Sequence, residues 1–65
     1  MTSLQRHGGF LVLTDTTGRR HAVRIGALAG LSDADDDRAE TIVQLPGGRY
    51  FVVAVPLEDF LAMLG

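Results

Sequence analysis

Two runs, Phe10-Leu11-Val12-Leu13-Thr14 and Phe51-Val52-Val53-Ala54-Val55, are apolar on both of their alternating faces. Successive side chains of a strand point to opposite sides, so a half-exposed sheet alternates apolar with polar residues. These strands therefore need cover on both sides, a severe demand on a chain of 65 residues. A domain of this size buries only about 60% of the surface its unfolded chain exposes. There is no cysteine, so neither disulfides nor thiolate metal sites supply extra stability.

The punctuation between the apolar runs sets the element order. Asp15-Thr16-Thr17-Gly18 has type I turn chemistry, a side-chain acceptor first and glycine last. It joins Phe10–Thr14 to a second strand over Arg20–Ile25. Leu28 and Leu31 are three apart, so one helical turn would tuck both beneath the sheet. Ser32–Arg38 reads as a solvated loop, Glu40–Leu45 as a third strand, Pro46-Gly47-Gly48 as a tight turn and Arg49–Val55 as a fourth strand. Pro56 suits a first helical position, and Leu57, Phe60, Leu61 and Leu64 then form one apolar stripe. The fold class is α+β, mostly β: two antiparallel hairpins (ββ-loop-ββ) and a short C-terminal helix, in a small four-stranded sheet or barrel-like unit. Residues 1–9 are expected as a flexible lead-in, residues 10–65 as the single domain, with no internal repeat beyond the two hairpins.

Four strands are about 14–19 Å wide and one helix is ~10 Å across, so one helix covers one face. The other face needs a second chain. The expectation is a homo-oligomer, a two-fold dimer foremost, with Phe51, Val53, Val55, Leu11 and Leu13 as the interaction face. On that reading Val53→Asp dissociates the assembly.

Charge adds a second layer. The net charge is −2, and five of the eight acids fall within Asp33–Glu40, offset only by Arg38. A chain with one acidic loop and so few free cations is a poor ligand for a phosphate backbone. Asp33, Asp35, Asp36 and Asp37 serve better to steer a basic partner. Asp33, Asp35 and Asp37 match the first ligands of a calcium loop, but Arg38 stands where glycine is required and Gln44 where a bidentate glutamate closes the site. Arg19, Arg20 and Arg24 form a basic edge suited to carboxylates or phosphates, or to blocking edge-to-edge pairing. The two histidines, His7 and His21, lack partners at metal-ligand spacing; Ser3 and Ser32 lack a nucleophile context; Glu58 and Asp59 diverge on a helix. No catalytic group, metal or other cofactor is expected.

Leu13-Thr14, Gly18, the Leu28/Leu31 pair, Thr41-Ile42-Val43-Gln44-Leu45, Gly48, Val52-Val53 and Glu58 together resemble the small flagellar proteins of the FlbD/SwrD family over residues 11–64. That resemblance implies a non-enzymatic accessory of flagellar expression or motor power, hence a bacterial protein. Leu11-Val12-Leu13-Thr14, Gly18 and Val53-Ala54-Val55 with Glu58 resemble the carbon storage regulators, which are dimeric and bind RNA. Asp15 stands where those proteins place an arginine, which removes a phosphate contact.

The expected function is a small non-catalytic protein–protein interaction or regulatory module that docks on a partner protein. The alternatives are a motility accessory, an inhibitor encoded by a phage or mobile element in the manner of anti-CRISPR proteins, and an RNA-binding regulator. No apolar run approaches the roughly 20 residues that span a bilayer, and Met1–Gly9 lacks a signal-peptide core. A cytoplasmic location is the corresponding expectation.

Overall fold

Thr14 ends the first apolar run, and Asp15 turns the chain as its side chain dictates. Asp15 Oδ1 accepts the Thr17 N–H at 2.9 Å while the Gly18 N–H donates to the Asp15 carbonyl at 3.0 Å. Gly18 follows with φ of 91°, a conformation glycine adopts without a side-chain clash. The structure, a computed structural model, describes residues 4–65. Its elements are β1 (Leu4–His7), β2 (Phe10–Thr14), β3 (Arg20–Arg24), a 3-10 turn (Ile25–Ala27), β4 (Gly30–Asp33), β5 (Thr41–Gln44), a tight turn at Pro46–Gly48, β6 (Tyr50–Val53) and the helix α1 (Leu57–Leu64).

The protein is mostly β, antiparallel throughout, with one C-terminal helix. The strands form two sheets of three, ordered β1-β2-β3 and β4-β5-β6, in place of one four-stranded or barrel-like sheet. The two additional strands flank the apolar ones. Leu4–His7, expected within a flexible lead-in, pairs with β2 in the register Leu4↔Leu13 to His7↔Phe10. Residues 1–3 of that lead-in lie outside the described residues. Gly8-Gly9 is the two-residue hairpin loop between these strands, and Gly8 has φ of 59°. Gly30–Asp33, expected as the end of a helical turn and the start of a loop, pairs with β5 from Gly30↔Gln44 to Asp33↔Thr41. The helical turn itself forms earlier, at Ile25–Ala27.

Cover for one face of each sheet is supplied within the chain, while on the outer faces Phe10 is 39% exposed and Val12 and Val52 are half-buried. Leu4, Leu11, Leu13 and Val23 line one side of the first sheet, and Val43 and Val53 one side of the second; with Val55 and Phe60 they make a single buried cluster. Each sheet is the other's second layer, and Phe60 of α1 closes the core at zero exposure. The radius of gyration, 10.7 Å, is what a compact chain of this length has, about 10.7 Å by scaling. The halves are joined at a corner where Thr16 N–H donates to the Val52 carbonyl at 2.9 Å and Asp15 bridges to Val53. Thr41, the one buried polar side chain among the described residues, donates its Oγ1–H to the Val55 carbonyl at 2.6 Å and ties β5 to the approach to α1.

The hairpins β2-β3 and β5-β6 correspond in position. Gly18 and Gly48, Arg19 and Arg49, Val23 and Val53, and Leu13 and Val43 share one offset along the chain. His21 and Phe51 hold equivalent places, and their rings stack with centroids 3.9 Å apart and planes 7° from parallel. The correspondence relates β2-β3 to β5-β6, the two hairpins, and does not extend to β1 and β4.

Helix α1 begins at Leu57, with Pro56 as the residue before it rather than the first helical residue. No side chain caps its N-terminus; Glu58 and Asp59 in the first turn complement the helix dipole instead. No helix among the described residues is long and apolar enough to cross a membrane.

Candidate functional site: an apolar groove between the helix and an edge strand

The expected apolar interaction face is the core of the folded chain. Leu11, Leu13 and Val53 have no exposure, Val55 is buried, and Phe51 is half-buried beneath His21. The physical reason is that the two sheets and Phe60 pack on these residues. What remains uncovered lies elsewhere. Leu57, Leu61 and Leu64 of α1 face Ile25, Leu28 and Leu31 across a groove of about 430 Å³, floored by Ala29 and Gly30. Of the helix's apolar stripe only Phe60 is fully buried, while Leu61 is 58% exposed. Eight residues give α1 a length of about 12 Å. That is enough to seal the core with Phe60 and too little to cover its own outer leucines.

The groove's lining is uncharged, and acids adjoin it at one end. Asp33 is two residues beyond Leu31 in β4, so both side chains lie on the same face of that strand. Asp33 pairs with Thr41, whose hydroxyl is bonded to Val55 just ahead of α1. The acidic end of β4 is therefore beside the start of the helix, where Glu58 stands one turn from Leu61. Asp35, Asp36 and Asp37 continue from β4 into a turn. There Asp35 Oδ1 accepts the N–H groups of Ala39 and Glu40 at 3.0 and 3.2 Å, which occupies it structurally. Among the described residues the only ion pair joins Asp15 and His21. The acids at the groove thus have no cationic side chain paired with them.

The basic residues lie apart from these acids. Arg20 and Arg24 flank β3, the free edge of the first sheet, and Arg24 sits over the Phe10 ring, 4.9 Å from its centroid. That contact holds the guanidinium on the outer face of the first sheet. Arg19 is exposed in the turn before β3. A second shallow cleft, about 440 Å³, lies against Ile42, Leu45, Arg49 and Tyr50 and meets the groove at Ala29. No group of three His, Cys, Asp or Glu side chains is placed to hold a metal ion among the described residues.

Asp15 and His21 form the one cluster of titratable groups with a built geometry. His21 Nε2 lies 2.7 Å from Asp15 Oδ2, and since a carboxylate only accepts, the ring nitrogen donates. Asp15 Oδ1 also accepts from the Thr17 hydroxyl at 2.6 Å and the Arg19 N–H at 3.0 Å. The His21 contact, then the Thr17 hydroxyl, hold the Asp15 carboxyl well below the usual aspartate range. With all four of its hydrogen bonds made to its own hairpin, the Asp15 carboxylate acts as a turn staple. A depressed pKa contributes stability that is fully present above the unfolded value and is lost as pH falls toward the folded one. Asp15→Asn keeps the shape and removes the charge. It is expected to lower the thermal midpoint by a few degrees at neutral pH, with the difference from the parent narrowing steadily below about pH 4. Melts monitored by circular dichroism across that range provide the check. A constant difference at every pH would show that the carboxylate charge is not what stabilises the turn.

The groove residues were visible in the sequence but given another role. Leu28, Leu31 and Leu64 do pack partly against the core, whereas Leu61 shares their spacing and is exposed, a difference that spacing cannot show. Comparison of the chain with protein-family models, curated proteins and solved structures finds no match.

Proposed function

We propose that the protein is a non-catalytic docking module that binds a partner protein through the groove between α1 and β4. The observation that carries this reading is the exposure of Leu61 beside five half-buried aliphatic side chains, of which Ile25, Leu28, Leu31 and Leu64 pack against the core with one side only. A small domain leaves such a surface uncovered at the expense of its own stability, and contiguous apolar patches of this kind mark interaction sites. The amphipathic helix-in-groove mode uses this chemistry: apolar anchors seated between two walls, with charges at the rim.

Leu61→Gln is the corresponding test. The side chain is exposed and glutamine is a good helix former, so stability should stay within about 1 kcal/mol of the parent. Affinity for the partner should fall about tenfold or more, as for a central apolar anchor. Affinity capture with the parent, with Leu61→Gln and with Val12→Gln on the far face of the first sheet separates the outcomes. A protein held by the parent and by Val12→Gln but released by Leu61→Gln supports the groove. Identical sets from all three count against it. Light scattering on the same proteins decides about self-association: a mass of two chains that drops to one in Leu61→Gln makes a second copy the occupant.

A further inference from the structure

Resting on the docking reading, we infer that the groove takes a basic amphipathic segment, apolar along its length and carrying arginine or lysine at the end that meets Asp33 and Glu58. The argument is one of charge complementarity at a polarised groove. Asp33 and Glu58 are both exposed and adjoin the groove without lining it, Asp33 two residues beyond Leu31 and Glu58 next to Leu57; the Asp33↔Thr41 pairing and the Thr41–Val55 hydrogen bond bring their elements together at one end. Asp36 and Asp37 extend the negative field beyond that end and are also exposed. Arg38, which follows Asp37, makes no ion pair with them among the described residues, and Arg24, beside Ile25, is held over Phe10 on the other sheet. A cation arriving at this end meets two carboxylates, whereas an anion meets their repulsion. The leucines supply the contact area and the acids the orientation and the choice of partner.

The experiment uses the full chain and two synthetic peptides of about 14 residues, with leucines at i, i+3, i+4 and i+7. One ends in lysines and the other in glutamates. Binding is followed by fluorescence anisotropy, and its location by amide shifts in nuclear magnetic resonance spectra. The expected result is that the lysine peptide binds at least tenfold tighter, shifts Leu28, Leu31, Leu61 and Leu64, and weakens severalfold between about 50 mM and 500 mM salt. Asp33→Lys with Glu58→Lys should reverse the preference; both positions are exposed, so the fold survives the change. Equal affinity for the two peptides at the groove would overturn the charge inference and leave the docking reading standing. Absence of groove shifts with either peptide would overturn both. Groove shifts that grow with protein concentration alone would replace the basic segment by a second copy of the chain.

Discussion

Val53→Asp should abolish cooperative unfolding altogether. Val53 has no exposure and lies in the cluster that joins both sheets to Phe60. An aspartate there is either ionised without a partner in an apolar environment or protonated against it, and either state costs several kcal/mol. The whole stability of a domain this size is about 3–10 kcal/mol. Circular dichroism of the variant should therefore show no sigmoidal melt, and light scattering should show aggregate or an expanded chain. On the sequence alone the same substitution is expected to dissociate an assembly of folded chains. A folded Val53→Asp monomer with the parent's midpoint would return Val53 to the surface. Val52→Asp is the matched control: its neighbour in β6 points to the opposite, half-buried face, and its variant should still melt cooperatively.

Phe60→Ala should come close to the same outcome by a different route. Phe60 is the only fully buried residue of α1 and, among the fully buried side chains, the largest. Truncation of a buried phenylalanine removes transfer free energy and leaves a cavity, about 3–5 kcal/mol together. That is about a third or more of the available stability, so the midpoint in urea should fall by about a third or more. The helix has no side-chain cap and only eight residues, and an isolated helix that short is not stable in water. With its anchor gone it detaches, and helical ellipticity should be lost before the sheet signal. A single transition with an unchanged midpoint would show that the helix is held by its leucines and not by Phe60.

The strands that carry the core were legible because their own residues state it. Leu11, Leu13, Val43 and Val53 lie in runs that fit only a covered strand, and the Asp15–Gly18 turn formed as its side-chain chemistry requires. Leu4–His7 was not, since one leucine followed by Gln, Arg and His gives no alternation that can be seen in four residues. Its signal lay in Gly8-Gly9, a pair that favours a two-residue hairpin as much as a mobile lead-in. Gly30–Asp33 combines a glycine with residues poorly disposed to strands, and is held there by pairing with β5. Both misreadings had one consequence. Without β1 and β4 the chain reads as one four-stranded sheet, so the cover that each sheet gives the other's inner face could not be seen. The groove followed the same logic, because whether Leu61 faces inward depends on how far α1 reaches over the sheets.

The corner at Thr16 and Val52 bears on how the chain folds. Every pair of neighbouring strands within a sheet is also consecutive in sequence, so each meander closes by short loops with little entropic cost. Neither meander has a dry side until the other arrives, and the first hydrogen bond that joins them crosses from one hairpin turn to the far strand of the other half. Local zippering is thus easy but gains stability only at the docking step. The two halves should appear and vanish together, in a single exponential whose rate slows when the Asp15–Gly18 turn is loosened.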